Sequence, residues 1–118
     1  MLHHLGTNQL ILDWPAPQLF PNARVHYQVK ARYAKQSREY GYYALKQSGF
    51  KIPETAHLFI QFVFPNRRLT DIDNCLAAIK SALDGLADAS GVDDKGWSFT
   101  LSRAIDTKAV SKHIVLSW

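Results

Sequence analysis

The sequence predicts a single α+β domain in which a mixed β-sheet is covered by two main helices, in the order β-α-β-α-β-β. The first observation behind this prediction is that segments of alternating apolar residues are separated by two long segments with helical periodicity. The second is that no internal repeat, low-complexity tract or linker interrupts the 118 residues. A chain of this length can bury one hydrophobic core and leaves little material for a second domain.

The first half of the chain predicts a β-strand followed by a long helix. Residues 8–14 are apolar and β-prone, and they end at a Pro-Ala-Pro turn. Asn22 is a favourable N-cap, and the segment from there to about Gln47 has no proline and only one glycine, Gly41, so we expect a helix. At about 100° per residue this helix has an apolar face and a basic face. The apolar face comprises Val25, Val29, Tyr33, Tyr40, Tyr43 and Ala44, and the basic face comprises Arg24, Arg32, Lys35, Arg38 and Lys46.

The second half predicts one central strand, a second helix and two further strands. Large apolar side chains alternate along the first of these segments, and the helical segment that follows has an apolar stripe. The predicted elements are a strand at residues 57–64, a helix that begins at Thr70 or Asp71 and ends near residues 89–91, and strands at residues 97–105 and 110–118. The buried stripe of the second helix is expected to comprise Leu76, Ile79, Leu83 and Leu86.

Composition and charge restrict the class of protein. No run approaches the roughly eighteen apolar residues that cross a bilayer, and residues 1–4 lack the pattern of a secretory signal, so we expect a cytoplasmic location. The single cysteine, Cys75, cannot form an intramolecular disulfide and is expected to be a small buried residue. Residues 1–68 carry nine basic and three acidic residues, whereas residues 69–118 carry five and seven. This division suits a protein that binds a polyanion and concentrates carboxylates, although mild basicity is also common without such a role.

Two aspartates, Asp71 and Asp73, follow the predicted central strand and fall in the first turn of the second helix. The helix dipole stabilises carboxylates there, and together they can hold a hard divalent cation. Mg²⁺ is the natural candidate because one or two carboxylates and substrate phosphates usually hold it. Ten acidic residues among 118 produce about one such D-x-D pair by chance. The pair alone therefore fits either a metal site or ordinary negative charge at a helix start.

The surroundings of this pair favour the metal site. Arg67 and Arg68 precede it, Asn74 follows it, and a second acidic pair, Asp93 and Asp94, comes about twenty residues later, before the next strand. The intervening helix carries the chain away at about 1.5 Å per residue, so the second pair must return along the sheet to join the first. The sequence leaves open whether the two pairs meet.

Four segments of the chain form a series. They are Trp-Pro-Ala-Pro at residues 14–17, Pro-Asn-Ala-Arg-Val-His-Tyr at residues 21–27, Arg-Arg-Leu-Thr-Asp-Ile-Asp-Asn at residues 67–74, and Gly-Val-Asp-Asp at residues 91–94. Together with the basic helix after the second segment and the amphipathic helix after the third, this series resembles the RusA family of Holliday junction resolvases, in its prophage type. The resemblance spans nearly the whole chain, and the D-x-D-N core is its most specific part.

The resemblance implies a homodimeric, Mg²⁺-dependent endonuclease that nicks opposing strands of a four-way DNA junction in recombination and repair. The three essential aspartates of the family fall on Asp71, Asp73 and Asp94, with Asp93 as the alternative if the register differs by one. Asp71 and Asp73 would anchor the metal, and Asp94 would complete the coordination or orient the attacking water. The alternative function is a non-catalytic DNA-binding accessory protein with the same fold. A nuclease for ordinary duplex or flap DNA is a third hypothesis.

One position departs from the family pattern. Relatives carry a lysine four residues after the second aspartate, where this chain has Ala77. Lys80 lies seven residues after Asp73 on nearly the same helix face, and lysine side chains lean toward the helix N-terminus, so a catalytic Lys80 could reach the scissile phosphate. It could equally pair with Asp84 one turn later. Both roles are open, and Ala77 motivates the non-catalytic alternative.

Basic residues are expected to neutralise DNA phosphates, which gives an affinity that falls with salt and little base specificity. For any one of them a solvated helix face is an equally good interpretation, but less so for the set. The candidates are Arg24, Lys30, Arg32, Lys35, Arg67 and Arg68. His26 either contacts a phosphate or has a structural role. Tyr40, Tyr42 and Tyr43 could stack on unpaired bases but are more typical of core and dimer contacts.

Overall fold

The computed structural model describes residues 8–118, and it confirms the α+β class and the predicted order of the six main elements. These elements are β1 (Gln9–Asp13), α1 (Tyr27–Ser48), β2 (His57–Phe64), α2 (Ile72–Ser90), β3 (Ser98–Ile105) and β4 (His113–Ser117). Two short 3₁₀ turns, Pro17–Leu19 and Asp94–Gly96, lie between them. Residues 1–4, on which the absence of a secretory signal was argued, lie outside the described part. Within that part, no helix is long and apolar enough to cross a membrane.

The four strands form one mixed sheet in the order β1-β4-β2-β3. Strands β2 and β3 are parallel and are connected through α2, whereas β4 runs antiparallel to both β1 and β2. It follows that β1 and β2 run in the same direction. Each is followed in the chain by a helix, so the starts of α1 and α2 lie toward the edge of the sheet where β1 and β2 end. We call this edge the carboxyl edge.

The hydrophobic core lies between the helices and one face of the sheet. Strand β2 is interior, as predicted, and alternate residues along it, from Leu58 to Phe64, are buried against the helices. The stripe expected on α2 is confirmed, because Ile79, Leu83 and Leu86 are at most 1% exposed, while Leu76 packs at its margin. Other fully buried side chains are Leu12, Leu45, Ile52, Phe62, Ile114 and Leu116. Cys75 is buried, as expected.

The predicted start of α1 at Asn22 was wrong. The helix begins at Tyr27, because the ring of His26 is its N-cap and Nδ1 accepts the Gln28 backbone N–H at 3.2 Å. The preceding residues instead form a turn in which the Ala23 N–H donates to the Phe20 carbonyl at 3.0 Å. The structural role of His26 is thereby accounted for.

The apolar face assigned to α1 was partly wrong: Ala44 packs against the core and Val29 and Tyr33 are half-buried, but Val25 and Tyr43 are exposed. The buried residues of this helix are Gly41 and Leu45, whereas Tyr43 is 60% exposed and Val25 precedes the helix. The reason is the crossing with α2, where Gly41 meets the backbone at Ala82. A periodicity argument weights large apolar side chains and therefore overlooks a contact made by a glycine.

The last strand is shorter than predicted. It begins at His113 rather than at residue 110, and Val110 is fully exposed in the connection from β3. That connection is held by local bonds, including the Ala109 N–H to the Asp106 carbonyl at 3.0 Å. Strand β4 begins where it can pair with Asp13 of β1 and Val63 of β2 at once.

Candidate functional site

The D-x-D pair lies at the start of α2, on the carboxyl edge of the sheet. Asp71 is the N-cap residue, and its carbonyl accepts the Cys75 N–H at 3.0 Å, but its side chain makes no capping hydrogen bond. Asp73 lies in the first turn, and both side chains are exposed. An aspartate at an N-cap normally stabilises the helix through its side chain. The carboxylate of Asp71 is instead available to another ligand.

Basic groups surround this end of α2. Arg67 and Arg68 are exposed in the loop that leads to it, where the Arg68 N–H donates to Asn66 Oδ1 at 2.9 Å. From the neighbouring strand β3, Arg103 Nη1 donates to the carbonyl of Thr70 at 3.2 Å, one residue before Asp71. The carboxylates of Asp71 and Asp73 thus have the cations of Arg67, Arg68 and Arg103 as neighbours.

The thiol of Cys75, in the first turns of α2, responds to both kinds of charge. Burial raises its pKa; Asp71 and Asp73 act in the same direction, whereas Arg103 and Lys112 act against them. The charges of Arg103 and Lys112 therefore belong to the surroundings of the D-x-D pair. Lys112 Nζ lies 5.1 Å from the centre of the Trp14 ring.

The second acidic pair lies elsewhere. Asp94 Oδ2 is 2.9 Å from Lys80 Nζ, which also lies 3.0 Å from Asp84 Oδ1. The hydrogen bond to Asp94 raises the pKa of Lys80, and the same bond lowers the pKa of Asp94. Asp93 has a local role, since its Oδ1 accepts the Lys95 N–H at 3.0 Å at the start of the 3₁₀ turn.

The two acidic pairs are separated along α2. Asp94 shares the ammonium of Lys80 with Asp84, and Lys80 is seven residues after Asp73, which is about 10 Å along a helix axis. Ligand oxygens lie only about 2.1 Å from a bound Mg²⁺, and Asp94 is instead paired with the ammonium of Lys80 in this arrangement. Within residues 8–118, no group of three or more His, Cys, Asp and Glu side chains is placed to hold a metal ion.

Mg²⁺ nevertheless fits the D-x-D pair in its chemistry. It is usually held by one or two carboxylates, retained waters and substrate phosphates rather than by a complete cage of protein ligands. Asp71 and Asp73 supply two exposed carboxylates with no ion pair in the part of the chain that the structure describes. Asn74 is half-buried beside them, and Ala77 is exposed one turn further on.

Four of the six basic residues predicted to bind DNA lie toward the carboxyl edge. Arg67 and Arg68 are adjacent to the D-x-D pair, and Arg24 and Lys30 flank the start of α1, which also lies toward the carboxyl edge. Lys35 instead lines a concavity with Asp88, beside the C-terminal half of α2. None of the six candidates is in an ion pair among the described residues. The sixth, Arg32, has its guanidinium 5.9 Å from the Tyr33 ring centre.

Two further cavities accompany these groups. An acidic concavity of about 470 Å³ is lined by Arg38, Asp84, Asp88, Asp93 and Asp94, and Arg38 in it binds Asp88 through two hydrogen bonds of 2.6 and 2.9 Å. An apolar cavity of about 260 Å³ lies between β1, α1 and α2. Tyr40 lines it and accepts the Asp13 N–H at 2.8 Å, so this tyrosine has a structural role.

The sequence reasoning missed Arg103 as a neighbour of the D-x-D pair. A signal for it exists, because Arg103 falls in phase with Phe99, Leu101 and Ile105 on the side of β3 that faces the helices. A charged residue at an inward position of a strand needs a polar partner. Sequence alone does not name the partner, which is the carbonyl of Thr70.

Comparison with known proteins finds one similar protein whose description gives no function. No protein-family model matches the chain. A protein of Xylella fastidiosa (strain Temecula1 / ATCC 700964), described as an uncharacterized protein, is 42% identical over 91 residues, which cover 73% of this chain and 60% of that protein. The chain thus spans about 60% of the length of this relative. The similarity assigns neither an activity nor a partner.

Proposed function

We propose that this chain is a Mg²⁺-dependent endodeoxyribonuclease that resolves four-way DNA junctions in recombination and repair. The observation that carries the proposal is the pair of exposed carboxylates of Asp71 and Asp73, of which Asp71 makes no capping hydrogen bond. They lie beside the cations of Arg67, Arg68 and Arg103. Carboxylates that hold a metal and cations that bind phosphates are two components of metal-dependent phosphodiester hydrolysis. The resemblance of residues 67–74 and 91–94 to the RusA family supports the junction as substrate.

The residues of this chain divide the work. Asp71 and Asp73 would hold Mg²⁺, which would lower the pKa of a bound water and stabilise charge on the phosphate. Arg67 and Arg68 bind the flanking phosphates and position the strand, with little reading of base sequence. Asp94 is the third carboxylate in this proposal, and it has to leave Lys80 before it can approach Asp73.

A homodimer is part of the proposal. Two symmetric nicks in a four-way junction require two active sites, and a two-fold dimer presents them in matching orientation. Sedimentation of the protein with and without junction DNA measures this directly. A monomeric mass at micromolar concentration with junction bound would contradict the dimer. A reducing, cytoplasmic location accords with the free thiol of Cys75.

The experiment compares labelled four-way junction with matched linear duplex, in Mg²⁺ or in chelator. We expect symmetric nicks in the junction that require Mg²⁺ and that disappear in Asp73→Asn. Glu54→Gln is the matched control, because it also removes one exposed carboxylate but lies just before β2, at the opposite edge of the sheet. Equal cutting of duplex would replace the junction by ordinary DNA as substrate.

One set of observations favours the non-catalytic alternative. Lys80 is bound by both Asp84 and Asp94, and Ala77 stands where members of the RusA family carry lysine. A protein that retained the basic surface and lost the chemistry would bind the junction without cutting it in either metal condition. That result in the same assay would refute the nuclease and establish the accessory DNA-binding role.

A further inference from the structure

Arg103 is placed at the D-x-D pair by the register of the sheet. It pairs with Phe62 across the parallel strands β2 and β3, so its side chain leaves the sheet on the side covered by the helices. Because it lies two residues before the end of β3, it reaches the loop that precedes α2. There Nη1 donates to the Thr70 carbonyl at 3.2 Å, one residue before Asp71.

Most hydrogen-bond donors of the Arg103 guanidinium have no partner among the described residues. It carries five N–H groups in a rigid, planar arrangement, and the bond to Thr70 uses one of them. The side chain is exposed, and Arg103 forms no ion pair with any carboxylate in residues 8–118. The remaining donors therefore face solvent beside Asp71, in the geometry that suits the two oxygens of a phosphodiester.

The other cations near α2 are either already paired with another group or less rigidly held than Arg103. Lys80 is held between Asp84 and Asp94, so its ammonium is already neutralised. Lys112 lies over the Trp14 ring at 5.1 Å. Arg67 and Arg68 extend from a loop, whereas Arg103 extends from a paired strand, which holds a functional group more rigidly.

We infer that Arg103 is a further substrate-binding residue of this site. It fixes the peptide before Asp71 through its bond to Thr70, and it binds the phosphodiester that is held at Asp71 and Asp73. This inference rests on the proposed function and extends it. Arg103 then does two things at once, since a single planar guanidinium binds a carbonyl with one edge and a phosphate with the rest. Lysine, with a compact ammonium at the end of a flexible chain, cannot maintain both contacts in fixed geometry.

The test is the salt dependence of junction binding, measured by fluorescence anisotropy with Ca²⁺ in place of Mg²⁺, so that binding is observed without cutting. We expect Arg103→Gln to weaken binding several-fold and to reduce the slope of log K against log salt by about 0.7–0.9, the value for one phosphate contact. Lys108→Gln, an exposed charge removal in the turn after β3, is the matched control and should alter the affinity less.

The conservative variant separates binding from positioning. Arg103→Lys retains the charge, so we expect a near wild-type salt slope together with at least a ten-fold lower cleavage rate at saturating junction. A merely structural arginine would instead lower the melting temperature and leave the salt slope unchanged in both variants. If Arg103→Gln does not fold, Arg103→Lys decides, and wild-type cleavage by that variant would overturn the inference.

Failure of the inference and failure of the proposed function give different results. A wild-type protein that binds the junction without cutting refutes the nuclease, and the salt slope of Arg103→Gln still decides the role of Arg103. A wild-type protein that cuts, with Arg103→Gln cutting and binding equally well, refutes only the inference. A wild-type protein that does not bind DNA overturns both.

Discussion

The contact between the two helices depends on the absence of side chains at Gly41 and Gly85. A Cβ added to Gly85 would overlap the carbonyl oxygen of Arg38 and crowd the backbone nitrogen of Tyr42, and a Cβ on Gly41 would overlap the carbonyl oxygen of Ala82. These obstructing atoms belong to the backbone, so no side-chain rotation can relieve them. Replacing Gly85 by alanine must therefore push α1 away from α2.

The magnitude follows from two opposing effects. Alanine within a helix is favoured over glycine by about 0.5–1 kcal/mol, which would stabilise the variant if the site were open. Overpacking of a close contact costs about 1–3 kcal/mol, and backbone obstruction places this site in the upper half of that range. We therefore expect Gly85→Ala to lower the free energy of unfolding by about 1–2.5 kcal/mol and the melting temperature by roughly 4–10 °C.

The assay is urea and thermal unfolding followed by circular dichroism. Ala77→Gly, at an exposed position of the same helix, reports helix propensity alone and should destabilise by about 1 kcal/mol. Gly49→Ala has open space but a φ of 79°, so it reports backbone strain alone. If Gly85→Ala raised the melting temperature, the helices would not be in the close contact described, and the argument from Gly41 would fail with it.

Three other variants test the remaining contacts. In Lys80→Gln the pKa of the Asp94 carboxyl, measured by NMR titration, should rise toward its ordinary value, because the hydrogen bond from Lys80 lowers it in the folded protein. The pair therefore stabilises the wild-type protein above about pH 4, and this contribution is lost as the pH falls through the pKa of Asp94 in the folded state. An unchanged titration would contradict the pairing. Trp97→Phe removes the 2.8 Å bond from Nε1 to the Pro53 carbonyl and should destabilise by about 0.5–1.5 kcal/mol in urea unfolding, and a loss within error would show that the bond contributes nothing. Asp71→Asn should lower stability by at most about 1 kcal/mol, since its side chain makes no capping bond and only the interaction of its charge with the helix dipole is lost. The same variant should abolish Mg²⁺ binding in calorimetry, and retained binding would remove Asp71 from the metal site.

The elements that the sequence predicted correctly are those with a strong local pattern. Strand β2 at residues 57–64 alternates large apolar side chains, and α2 repeats leucine and isoleucine at helical spacing, so each pattern reports the surface that becomes buried. The start of α1 and part of its buried face were predicted wrongly because they depend on an imidazole cap and on a glycine crossing. Neither feature adds apolar area, so neither appears in a hydrophobic pattern.

The candidate site divides in the same way. The positions of Asp71 and Asp73 after a strand and at a helix start are local, and the structure has them there. The position of Asp94 depends on the path of the loop after α2, which brings it to Lys80. Of the two roles left open for Lys80, the pairing with Asp84 is observed, and the same ammonium binds Asp94 as well.

The amino-acid sequence by itself determined the α+β class, the interior strand, the amphipathic second helix and the place of two carboxylates at its start. These follow from interactions between residues at most a few turns apart, which spacing encodes directly. Only the tertiary structure decided that Asp94 meets Lys80, that Arg103 meets Thr70, and that two glycines let the helices touch. Each of these contacts joins segments fourteen or more residues apart, and their geometry is set by sheet register and backbone approach rather than by residue type.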